Sequence, residues 1–157
     1  MLRTTIAVVA LCYTLSVGAV DIQEDRFDGS TRIVGGAPAS EGQPGLTMLA
    51  VIRRGKLSTL SLGIHSHSEE WKYLRCNTTK WLVDGRPYVL PQPKHDGSVS
   101  AYGVSEFMWS KLTFAQLKRL SIAESMEYKV CNDEANVDQE GLDNIQDFAI
   151  AIENALK

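Results

Sequence analysis

Between Leu46 and Trp109 the apolar side chains return every second position, and after Leu112 they return every third or fourth. A period of two describes a strand with one face on a core, and a period near 3.6 describes a helix with one apolar stripe. A chain that runs through its strands first and reaches its helices late is expected to be α+β. The pattern predicts an antiparallel sheet of about six strands with two helices, one before and one after the last strand.

The turn chemistry sets the elements. Arg26 to Val34 reads as a first strand, with residues 20–25 loop-like before it and the Gly- and Pro-rich residues 35–45 a loop after it. Leu46 to Ile52 is apolar on both faces, as a central strand would be. Arg53-Arg54-Gly55-Lys56 is a turn, and Leu57 to His67 is the return strand. There Leu60, Leu62 and Ile64 share one face, and Thr59, Ser61, Gly63, His65 and His67 share the other. Trp71 to Cys76 reads as a short strand. Asp84-Gly85 is the strongest hairpin signal, because a tight primed turn needs φ > 0 at both positions. A two-residue loop there pairs Val83 with Arg86 and Trp81 with Tyr88. Pro87 lacks a ladder donor, which sends its strand to an edge. Residues 91–97 read as a loop, and Ser98 to Trp109 as one long strand with a bulge at Gly103. Thr113 with Gln116 forms a capping box ahead of Phe114, Leu117, Leu120 and Ser121. Met126, Tyr128 and Val130 alternate as a last strand. Asp138 caps a final helix with Leu142, Ile145, Phe148, Ala149, Ile152, Ala155 and Leu156 on one side.

The first residues have another purpose. Arg3 is followed by the apolar run Ile6 to Val17 and then by Val17, Gly18 and Ala19, with small residues where a signal peptidase cuts. Residues 1–19 are therefore expected to be a signal peptide, and residues 20–157 a single exported domain, periplasmic or secreted. The run is too short to span about 30 Å of hydrocarbon, and no second segment is long enough. Of the three cysteines, Cys12 falls in the leader; Cys76 and Cys131 remain, and an oxidising compartment predicts a disulfide between them.

Charge is uneven along the chain. Residues 20–123 hold 13 basic and 10 acidic side chains, whereas residues 124–157 hold 2 basic and 9 acidic ones. The acidic run reads as a solvated helix face or as a surface that steers a charged partner. Nothing in this balance marks a nucleic-acid binder.

No complete catalytic constellation is present, so no catalytic residue and no cofactor is assigned. Arg32-Ile33-Val34-Gly35-Gly36 has the form of a trypsin-type activation site. Only 125 residues follow Arg32, and no Gly-Asp-Ser-Gly-Gly surrounds any serine. Gly103-Val104-Ser105-Glu106-Phe107 lacks the last glycine of a hydrolase elbow. Asn136-x-Asp138-x-Glu140-Gly141 starts like a calcium loop, but Asp143 and Asp147 stand where an apolar residue and a glutamate belong. Asn77-Thr78-Thr79 is a glycosylation sequon, meaningful only in a eukaryotic chain. Two constellations survive. His65 and His67, at i and i+2 of a strand, could ligate a metal with His95 or Asp96. Trp71, Tyr73, Trp81 and Tyr88 could line a binding surface, although such a row is also ordinary core.

Three stretches together are familiar: Trp71-Lys72-Tyr73-Leu74-Arg75-Cys76, then Trp81-Leu82-Val83-Asp84-Gly85-Arg86-Pro87, then Lys94-His95-Asp96-Gly97-Ser98-Val99. With Asp25-Arg26-Phe27-Asp28-Gly29 they resemble small exported bacterial single-domain proteins of unknown function that carry a W-L-x-D-G-[RK]-P hairpin. The resemblance implies export and one domain, and carries no catalytic residue. The functional expectation is a non-enzymatic periplasmic or secreted binding or interaction module. It would act on an envelope or secreted protein, as a monomer or small oligomer, without a membrane span and without nucleic acid. The alternative is a small metal-dependent hydrolase built on His65 and His67.

Overall fold

In the computed structural model residues 20–38 and 42–157 are described. The expected signal peptide, residues 1–19, lies outside them. Among the described residues ten strands form two antiparallel sheets, and two helices follow the main run of strands. Sheet one has the order β1-β2-β3-β4-β8-β7, built from β1 (Asp21–Glu24), β2 (Ser30–Ala37), β3 (Gly45–Arg53), β4 (Lys56–Ser68), β7 (Lys94–Ser100) and β8 (Gly103–Lys111). Sheet two has the order β10-β9-β5-β6, from β5 (Thr79–Val83), β6 (Arg86–Tyr88), β9 (Met126–Val130) and β10 (Asp133–Val137). Helix α1 (Phe114–Ser121) precedes β9, and α2 (Gln139–Ala155) ends the chain.

The turns follow from local chemistry. Arg54 and Gly55 both take positive φ, 52° and 69°, and Asp84 and Gly85 take 52° and 70°. Each pair closes a two-residue hairpin, and Trp81 meets Tyr88 across the second. Pro87 sits on β6, an edge strand. Thr113 and Gln116 form the reciprocal cap of α1, and the Asp138 carboxylate accepts from the Gly141 N–H at the start of α2.

Four segments depart from the expected pattern. The first strand starts at Ser30, not Arg26, because the carboxylates of Asp25 and Asp28 take the N–H groups of Phe27 and Ser30 and bend residues 25–29 into a turn. A short β1 then pairs before it, where a loop was expected. Gly35 and Gly36 belong to β2 instead of a loop. A Cβ on Gly35 would stand 3.0 Å from the Phe148 ring, and one on Gly36 would strike the Leu46 carbonyl, so the glycines admit close packing. The expected long strand from Ser98 is cut at Ala101-Tyr102 into two paired strands, with Gly103 at φ 120° closing the turn rather than forming a bulge. Residues 94–97, expected in a loop, belong to the first of these. Finally, β9 is not the last strand: Cys131 and Asn132 turn it back into β10.

One face of sheet one carries the core. Ile33, Met48, Ala50, Leu60, Leu62, Ile64 and Met108 all point to it and are buried. Against them lie Leu142, Ile145, Phe148, Ala149 and Ile152 of α2, and Trp81, Val83, Met126, Tyr128 and Val130 of sheet two, in a single cluster. Burial of such side chains contributes about 1.5–3 kcal/mol each. The predicted disulfide is present: Cys76, after β4, is bonded to Cys131 at the β9–β10 turn. No helix among the described residues is long and apolar enough to cross a membrane.

Candidate functional site

The four proposed ligand side chains are divided by sheet one. His65 lies opposite Phe107, and Phe107 lies opposite Asp96, so these three share the outer face with Phe107 between the other two. His67, opposite Ser105, is on that face too. His95 pairs with the core residue Met108 and is on the opposite face. Each histidine is used locally. His65 Nδ1 is 3.1 Å from the Thr47 hydroxyl, and burial holds its imidazole below the usual histidine range. His67 Nε2 donates to the Tyr102 carbonyl at 2.9 Å. Among the described residues no three His, Cys, Asp or Glu side chains come together as a metal site. The expected His65, His67, His95 and Asp96 centre is therefore corrected: alternation along β7 sends His95 to the other side of the sheet from His65, His67 and Asp96, and Phe107 stands between His65 and Asp96.

His95 belongs to a buried polar cluster that the sequence did not reveal. Glu106, 1% exposed, accepts from the Lys72 N–H at 2.7 Å, the Tyr73 N–H at 2.9 Å and His95 Nε2 at 2.9 Å. A carboxylate can only accept, so the His95 proton sits on Nε2. Burial works to raise the Glu106 pKa, but these bonds together hold it below the usual carboxylate range. The Tyr73 hydroxyl donates to Asp133 at 2.6 Å; burial first, and that bond next, push the phenol up. The cluster fastens the segment after β4, which is why residues 71–76 are not the expected strand: the N–H groups of Lys72 and Tyr73 go to Glu106, and that of Cys76 to the Tyr73 carbonyl, not to a ladder.

That segment separates the expected aromatic surface. Tyr73 is core, 2% exposed, and Trp71 lies against His95 and over Gly97. Trp81 and Tyr88 remain together, and Trp81 stacks on Tyr128 with ring centroids 5.0 Å apart. These two residues contribute to a cleft of 490 Å³ on sheet two. Register places Lys80, Leu82, Glu127, Lys129, Glu134 and Asn136 on the solvent side of the sheet, opposite the buried side of Trp81 and Tyr128. Pro87, Val89, Leu90 and Gln92 complete its wall. Leu82 is 37% exposed and Val89 85%, which leaves an apolar floor open. Around it Lys129 Nζ donates to Glu134 Oε1 at 2.8 Å, while Lys80 lies directly opposite Lys129. The arrangement can receive an apolar body and hold polar groups at its rim, and its volume falls in the range of about 300–1,000 Å³ common to ligand sites. Leu82, between the inward Trp81 and Val83, was the readable signal for it: an apolar residue at an outward strand position.

Compared with protein-family models, with curated proteins and with solved structures, the chain matches none of them.

Proposed function

We propose that the chain is an exported, non-enzymatic binding module that takes an apolar segment of an envelope or secreted partner in the cleft of sheet two. The observation that carries this reading is the cleft itself, with Leu82 and Val89 exposed at its floor and wall and a charged rim of both signs. The disulfide and the leader-like residues 1–19 support export, periplasmic or secreted. The same reading groups the chain with the small exported bacterial proteins it resembles.

The test is a random-peptide display selection on the purified protein. Enriched peptides should carry bulky apolar residues and should lose binding to Leu82→Asp. Leu74→Asp, at an exposed position outside the cleft lining, should leave binding intact. Selection of no peptide, or of peptides indifferent to Leu82→Asp, overturns the reading.

A further inference from the structure

The outer face of sheet one sets several apolar side chains among polar ones. An antiparallel sheet normally alternates to polar residues where it meets water. Here it carries Val34 on β2, Leu49 and Val51 on β3, and Phe107 and Trp109 on β8. All five are half-buried, and no helix or strand among the described residues forms a second layer over them. Phe107 and Trp109 stack in nearly parallel planes, 6° apart, and His65 lies beside Phe107. Trp109 lies flat over Gly63, where a Cβ would come within 2.7 Å of the ring. Arg32, Thr47, Thr59, Ser61 and Lys111 stand on the same face, so the surface is mixed: an apolar group of Val34, Leu49 and Val51 over β2 and β3, and the aromatic pair on β8, within a polar surround, as interaction sites often are.

We infer that this face is covered by a second copy of the chain, sheet on sheet. Two observations favour a copy of itself over another partner. The first is size. Five strands, β1 to β4 and β8, about 4.8 Å apart with about eight residues per strand, give a shared face on the order of 600 Å². That approaches the roughly 800 Å² per partner of a stable interface.

The second is charge. Register aligns Asp21, Val34, Leu49, Ser61 and Lys111 in one row across β1, β2, β3, β4 and β8. A two-fold axis between the copies, parallel to the strands and over β3, sets β1 of one copy against β8 of the other. Leu49 then meets Leu49 at the axis, and Asp21 meets Lys111 twice, once on each side. A two-fold interface requires this self-complementarity, and aligned sheets pack about 10 Å apart, within reach of a leucine pair and of an aspartate and lysine together. Arg53, near the axis at the strand end, has Asp28 of its own chain 4.0 Å away.

Sedimentation velocity of the purified protein at micromolar concentration should show a dimer, and Leu49→Asp should be monomeric with an unchanged circular dichroism spectrum. Asp21→Lys and Lys111→Asp should each weaken dimerisation about tenfold, which is about 1.4 kcal/mol, and the two together should recover it. A monomeric wild type overturns the inference, as does a dimer indifferent to Leu49→Asp. Failure of the double reversal to recover what either single reversal loses also overturns it. The cleft variant Leu82→Asp should dimerise like the wild type, so this result is independent of the peptide selection.

Discussion

His95 Nε2 and Glu106 Oε1 meet at 2.9 Å on the core side of sheet one, diagonal neighbours on β7 and β8. Glu106 thereby joins an edge strand, its neighbour β8 and the segment leading to the disulfide. Glu106→Ala should leave the Lys72 and Tyr73 N–H groups and the His95 ring without an acceptor, and should cost about 3 kcal/mol. The pH dependence has a definite sign. The folded Glu106 pKa lies below its ordinary value of 4.5, so its contribution is fully present above that value and is lost as pH falls through the lower folded value. Urea midpoints between neutral and acid pH should fall more steeply for the wild type than for Glu106→Gln. Parallel curves for the two proteins would refute the role given to this carboxylate.

The disulfide closes a loop spanning 55 positions. Replacing both Cys76 and Cys131 by serine should lower stability by about 4 kcal/mol in the chain-entropy account. Reductant should lower the wild-type thermal midpoint toward that of the double variant and leave the variant where it was. Denatured, unreduced protein should resist alkylation at both positions.

Asp84 combines a turn conformation with three bonds. At φ 52° its carboxylate accepts from Arg119 at 2.8 Å, from the Glu124 N–H at 2.8 Å and from the Ser125 N–H at 3.1 Å. Asn tolerates this left-handed backbone and keeps an acceptor. Asp84→Asn should therefore remain closer to wild type in chemical denaturation than Asp84→Ala. The reverse order would show that these bonds contribute nothing.

Gly63→Ala should displace the Trp109 ring, which leaves no room for a methyl group. A forced shift of this kind costs about 1–3 kcal/mol. Tryptophan emission should change as well, and Trp109→Leu in the same chain should recover part of the stability. Unaltered emission and melting in the single variant would contradict this packing.

Much of the fold was legible because it rests on local rules. Asp84-Gly85 fixed a hairpin and its Trp81–Tyr88 pair, Thr113 and Gln116 marked the start of α1, and alternation separated Leu60, Leu62 and Ile64 from Thr59, Ser61 and Gly63. Long-range relations were not legible. The N–H groups of Lys72 and Tyr73 turn away from a ladder because a carboxylate 33 and 34 positions along the chain is waiting for them. His95 falls on the wrong side of the sheet for the expected metal site because its strand begins at Lys94, inside what read as a loop. The division of the strands between two sheets depends on β5 pairing with β9, across three intervening strands and a helix. Of the cleft, the Trp81–Tyr88 pair was legible, but its rings face the core, and the rim residues come together only through the β5–β9 pairing.

The bond between Cys76 and Cys131 also bears on how the molecule survives a cut in its chain. Everything from Asn77 to Val130 lies within a covalent ring, including the β7–β8 hairpin, where Tyr102 is 89% exposed. A protease that cuts that hairpin once opens the ring but releases no fragment. Both pieces stay tethered through the sulfur bridge, and the nicked molecule keeps both sheets in register.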